Sequence, residues 1–135
     1  MVLYAVDPNA IIAEPLKNRT SCESLHAYHK LYKYLQVRGY KPRIHKLDNE
    51  ASQDMLDFIV EQQAKAEIVP PHIHRQNDAE RAIQTWNHHF LSGLASVNKM
   101  FLMHHWCKLI EQANATLNMM RQCQQNLKLS AYEAL

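Results

Sequence analysis

Apolar positions in this chain switch repeatedly between a period of two and a period near 3.6. Val2-Leu3-Tyr4-Ala5-Val6 is a β-prone run, Asp7-Pro8-Asn9-Ala10 carries turn chemistry, and Ile11-Ile12-Ala13 resumes a strand that Pro15 ends. The short connection predicts an antiparallel hairpin. Thr20-Ser-Cys-Glu23 then reads as a capping box, and Gly39 stands where a helix C-terminus takes a glycine. Between them Leu25, Tyr28, Tyr32 and Leu35 share one face at helical spacing.

Lys41-Pro42 restarts the chain as a strand, Arg43 to Leu47, with Asp48 at its carboxyl end. Ser52 caps a helix expected to bury Met55, Leu56, Ile59 and Val60. Glu67-Ile68-Val69 is a short strand stopped by Pro70-Pro71, and the loop His72 to Asn77 follows. Asn77 can cap the next helix, with Ala79, Ile83, Trp86, Phe90 and Leu94 as its inward stripe. After a loop around Ser96 to Lys99, a last long helix is expected to carry Trp106, Leu109, Ala113, Leu117 and Met120 inward. The tail from Asn126 reads as a short closing turn or helix.

The predicted order, ββαβαβαα, calls for an α/β fold with a mixed sheet covered by helices. Its two βα steps should be right-handed parallel crossovers. The 135 residues suit one domain spanning 1–135, long enough to bury roughly 68–70% of its unfolded surface. Only two glycines argue for helices and short connections over a loop-rich sandwich. No apolar run approaches the ~18 residues of a membrane span, and no secretory leader pattern opens the chain. Cys22, Cys107 and Cys123 form no C-x-x-C pair, which suggests reduced thiols and an intracellular setting, nuclear or cytoplasmic. A net charge of +2 implies no global field for nucleic acid, so any DNA contact must come from a local surface.

Two carboxylates stand out by position. Asp48 ends a strand and Glu80 lies in the first turn of a later helix; facing each other, they would form two sides of a hard-cation site. Each also has a plain reading. Asp-Asn is common turn chemistry, and Glu80 can serve as the third residue of a capping box. From residue type alone, both readings stay open.

The order of the short motifs resembles the catalytic core of retroviral and LTR-retrotransposon integrases. Val6 to Lys17 resembles the second and third strands of that core. His45-Lys-Leu-Asp48-Asn49-Glu resembles its second catalytic block. Pro70-Pro-His-Ile-His-Arg-Gln76-Asn-Asp-Ala-Glu80-Arg81 resembles the third, where a Glu-Arg pair opens a helix. Leu117-Asn118-Met-Met-Arg121 and Ser130-Ala-Tyr132-Glu133 look like its close, so the resemblance runs the length of the chain.

The resemblance implies an RNase H-like fold and DNA integration by polynucleotidyl transfer with Mg²⁺ or Mn²⁺. Asp48 and Glu80 would be catalytic metal ligands. Gln76, His72, His74, Arg81, Gln84 and Asn87 would face DNA, although the neutral amides at 84 and 87 replace lysines common in retroviral members and weaken phosphate attraction. Thirty-one residues lie between Asp48 and Glu80, a shorter interval than in retroviral relatives.

The family's first catalytic Asp belongs to a strand preceding the one Met1 opens. Asp7 also follows a strand, but its flanking residues match the next hairpin. The chain is therefore expected to lack the first strand and to be incomplete or inactive as a transferase. The alternative is a non-catalytic DNA-binding or dimerising module on a decayed RNase H-like scaffold, with DNA and a second copy of the chain as partners and no membrane.

The remaining candidates read more plainly. Nine histidines, paired at 26/29, 72/74, 88/89 and 104/105, lack the cysteine spacing of a zinc site and suit surface or half-buried positions. Lys17, Arg19, Lys41, Arg43, Lys46, Arg75 and Arg81 are either a basic edge or scattered surface charge. The cysteines carry no motif of a nucleophile.

Overall fold

The structure is a computed structural model, and it describes residues 1–48, 51–69 and 78–135. Its elements are β1 (Val2–Ala5), β2 (Ala10–Ala13), α1 (Ser21–Val37), β3 (Ile44–Leu47), α2 (Gln53–Glu61), β4 (Lys65–Ile68) and α3 (Asp78–Ala95). A 3₁₀ helix (Met103–Lys108) then leads into α4 (Leu109–Met120), and α5 (Ala131–Ala134) closes the chain. The element order is the one the periodicity predicts. The chain divides into two compact units, one of residues 1–15 and 78–135 and the other of residues 16–77. Each contains a two-stranded sheet, where the pattern alone suggested one mixed sheet.

In the first unit β1 and β2 pair antiparallel, Val2 opposite Ala13 and Ala5 opposite Ala10. The turn closes by Asn9 N–H donating to the Val6 carbonyl at 3.0 Å, with Asn9 itself at φ +57°, a conformation asparagine tolerates. Pro8 is fully buried in this turn. The segment after α4 grips it: Arg121 donates to the Asn9 carbonyl at 2.8 Å and to the Asn9 side chain, and the Asn9 amide donates to the Gln122 carbonyl at 2.8 Å. The segment then folds back, Gln122 bridging Ser130, and Ser130 with Glu133 forms the capping box of α5.

Helix α3 lies against β1 and α4 against β2. Their shared core is Ile11, Ala13, Ala82, Trp86, Phe90, Ile110 and Leu117. Burying a side chain of the size of Ile or Phe contributes about 1.5–3 kcal/mol. Trp86 stacks on Phe90 at 4.8 Å and 14°. The α3 stripe is therefore Ala82-Trp86-Phe90, and Ile83 is exposed instead of buried. Trp106 and Met120 also differ from expectation. Trp106 belongs to the 3₁₀ helix, is 41% exposed and meets Phe90 edge-on, while Met120, the last residue of α4, is exposed. The change from three to 3.6 residues per turn at Leu109 breaks the stripe that a single long helix would have carried.

In the second unit Thr20 caps α1 by accepting from Glu23 N–H, but the return bond of a capping box is absent there. Thr20 N–H donates instead to Asn18, and the Glu23 carboxylate accepts from Lys17 N–H. At the far end Gly39 sits at φ +85°. Gly39 N–H donates to the Gln36 carbonyl and Tyr40 N–H to the Leu35 carbonyl, the paired bonds of a Schellman end. Helix α2 ends the same way around Gln63 at φ +58°, with Gln63 N–H to Val60 O and Ala64 N–H to Ile59 O.

β3 and β4 pair parallel, Ile44 beside Lys65 and Leu47 beside Ile68, so β3-α2-β4 is a βαβ unit as predicted. β4 starts and ends earlier than the Glu67–Val69 reading. Ala27, Tyr28, Leu31, Tyr32 and Leu35 of α1, Met55 and Ile59 of α2 and His45 of β3 are buried, whereas Val60 is exposed.

Candidate functional site

Asp48 stands directly after β3, on the exposed side of the strand end, and its carbonyl accepts Ala51 N–H at 3.1 Å. The carboxyl ends of parallel strands are where open α/β sheets gather their ligands. Two steps earlier in the same strand, Lys46 is exposed and stands opposite Glu67, whose carboxylate pairs with Lys65 at 3.0 Å. The exposed Lys17, Arg19, Lys41 and Arg43 belong to this unit as well.

Glu80 is the third residue of α3 and half-buried. With Asp78 it places negative charge in the first turn, where the helix dipole favours it. Gln84 and Asn87 continue the Glu80 face at helical spacing. Both are exposed, and the Ala82-Trp86-Phe90 stripe lies on another side of the helix. Arg81 is exposed and donates to Asp78 at 2.6 Å, a surface pair of small energetic weight that partly neutralises its charge.

Asp48 belongs to the second unit and Glu80 to the first. Asp7 is exposed in the β1–β2 turn, where its carbonyl takes a contact from the buried Cys123 thiol at 3.7 Å. Asn49, His72, His74, Arg75, Gln76 and the proposed cap Asn77 lie outside the described residues. As donors, Asp48 and Glu80 fit a hard cation such as Mg²⁺ or Mn²⁺ in kind. Among the described residues no group of three or more His, Cys, Asp and Glu side chains converges as a metal cage would require.

The histidines divide. His26, His29, His88 and His104 are exposed, and His89 is half-buried with its Nε2 at 2.9 Å from the Thr116 hydroxyl. The rings of His104 and His105, adjacent in the 3₁₀ helix, meet at 4.0 Å between centroids. His45 is buried, and nothing in its residue type announces that. The signal is positional: His45 and Leu47 alternate with Ile44 and Lys46, so an inward Leu47 implies an inward His45.

The chain matches no family model and no curated protein. Among the described residues no helix is long and apolar enough to cross a membrane.

Proposed function

We propose that this chain is an integrase-core-like domain of the RNase H-like kind, that it binds DNA, and that Asp48 and Glu80 are two of the acidic ligands of its Mg²⁺ or Mn²⁺ site. The observation that carries the reading is the setting of Asp48: it directly follows the first strand of a parallel β3-α2-β4 unit, within the motif His45-Lys-Leu-Asp48. Glu80 in the first turn of an 18-residue helix supports it, as does the agreement of element order with the order of the motifs. A divalent ion there would polarise a phosphoryl oxygen and activate the attacking hydroxyl. The chain's own contribution is to present carboxylate oxygens from a strand end and a helix start, with exposed amides of Gln84 and Asn87 beside Glu80 for contacts to nucleic acid.

A second reading has its own support. With no group of three or more His, Cys, Asp and Glu side chains among the described residues that could hold a metal ion, a non-catalytic DNA-binding or dimerising module is the alternative. A duplex-binding titration with and without Mn²⁺, on wild type and Asp48→Asn, separates the two. DNA binding strengthened by metal and lost selectively in Asp48→Asn supports the metal site; metal-independent binding equal in both proteins supports the DNA-binding module; no binding to DNA in any condition rejects both of these and leaves only the dimerising form of the module.

A further inference from the structure

His45 is the one buried side-chain polar group among the described residues with a nitrogen left without a partner. Its ring is 8% exposed, its Nδ1 is hydrogen-bonded to the Tyr28 hydroxyl, and its Nε2 meets no acceptor or donor. From α1 the ring also meets Tyr32, at 5.7 Å between centroids and 43°, while Tyr28 lies at 5.9 Å and 66°. From α2, Phe58 packs edge-on against both tyrosines and against the exposed His29. From β4 the register partner is Ala66.

Burial pushes the Tyr28 phenol far above its ordinary range, so Tyr28 stays a hydroxyl, which can donate to Nδ1 or accept from it according to the imidazole tautomer. With the ring proton on Nε2, Nδ1 accepts and the buried Nε2 makes no hydrogen bond. Taking a proton from solvent converts Nδ1 into a donor facing a donor. The hydroxyl must turn, and the new charge spreads to an Nε2–H that nothing receives. Burial accordingly lowers the affinity of His45 for a proton, the Pro42 carbonyl opposing this more weakly.

We propose that His45 is a proton-operated latch on β3: neutral, it holds the strand against α1, and protonated, it releases it. The geometry suits a latch because the buried side chain of β3 that meets Tyr28 and Tyr32 of α1 carries a ring nitrogen without a hydrogen-bond partner, so a proton taken up there brings an unsatisfied charge into that contact. The proposal does not rest on the DNA-integration reading, although the strand that would be released is the one ending at Asp48.

The test is amide hydrogen exchange from pH 7.5 to 5 on metal-free protein, corrected for intrinsic rates. It reads Lys65 and Val69, whose N–H groups donate to the carbonyls of Arg43, the residue before β3, and Leu47, its last residue, at 2.8 and 2.9 Å. In wild type, protection is expected to fall by up to about tenfold per pH unit below the ordinary histidine range, and in His45→Phe it should be flat. Protection that is constant in wild type, or equally pH-dependent in His45→Phe, would overturn the latch. Should His45→Phe fail to fold, NMR titration of the wild-type imidazoles decides. His45 is expected to titrate below the ordinary histidine range, with loss of the Lys65 and Val69 amides at the same midpoint. Titration of His45 within the ordinary range and no amide loss would overturn it.

Discussion

Asn118 holds Ile11 by both ends of its side-chain amide. Its Oδ1 accepts from Ile11 N–H at 2.9 Å and its Nδ2 donates to the Ile11 carbonyl at 2.8 Å. One helical turn earlier Asn114 does the same to Ala13, at 3.0 and 2.9 Å, and accepts the Trp86 indole N–H at 2.8 Å. Two asparagines on α4 thus satisfy alternate backbone groups of β2, on the edge that β1 does not pair. A strand edge is normally an invitation to another chain, and here side chains close it.

Asn118→Ala should be the most damaging polar substitution in the first unit. It leaves the buried Ile11 N–H and carbonyl without partners at about 1–3 kcal/mol each, so a loss of roughly 2–6 kcal/mol is expected in denaturant unfolding. Asn118→Asp should also destabilise, because a carboxylate cannot donate to the Ile11 carbonyl.

Gln63→Gly should stabilise the protein. Gln63 occupies the left-handed position of a helix end, where a side chain costs about 1–2 kcal/mol. After the greater flexibility of glycine in the unfolded chain is deducted, a gain of about 0.5–1 kcal/mol is expected in thermal or denaturant unfolding. Gly39→Ala should move stability the other way by about 1 kcal/mol, since Gly39 holds the same position at the end of α1. Nothing lies within 4 Å of a Cβ at Gly39, so that loss would be backbone strain and not a clash.

Tyr28→Phe removes the hydroxyl hydrogen-bonded to the buried His45 Nδ1. A loss of about 1–3 kcal/mol at pH 8 is expected. The pH dependence follows from a proton affinity lowered in the folded state. As pH falls through the ordinary value of about 6.5, the unfolded chain binds the proton first. Stability is full above that value and declines below it, levelling once the folded ring also protonates. Denaturation curves of Tyr28→Phe should retain this acid decline, because His45 stays buried.

The two tryptophans should report different environments. Trp86 is 7% exposed and stacked, Trp106 41% exposed. Trp106→Phe should leave emission that is blue-shifted and resistant to acrylamide, and Trp86→Phe the reverse. Equal quenching of the two variants would contradict the core assignment.

The amino-acid sequence is legible wherever a local signal suffices. Thr20 and Gly39 bracket α1 because caps and left-handed ends are written in residue type. The parallel β3–β4 pairing follows from strand, helix and strand in close succession. Asn114 and Asn118 are not legible in this way, because mid-helix asparagine resembles a surface residue until the strand it serves is placed. Trp106 departs from its expected burial for a similar reason, since apolar spacing continues across a 3₁₀-to-α junction that only packing defines. At the site, Asp48 after a strand and Glu80 at a helix start are readable from turn and cap chemistry. Their mutual geometry depends on tertiary contacts that no local pattern encodes.

The most direct test of the metal-site reading is an Mn²⁺ titration followed by paramagnetic broadening of amide resonances, on wild type, Asp48→Asn and Glu80→Gln. Saturable broadening is expected at Leu47–Asp48 and at Ala79–Arg81 together, lost in either variant with the fold intact. Broadening at one of the two places alone, or none at millimolar Mn²⁺, would contradict a site shared by Asp48 and Glu80.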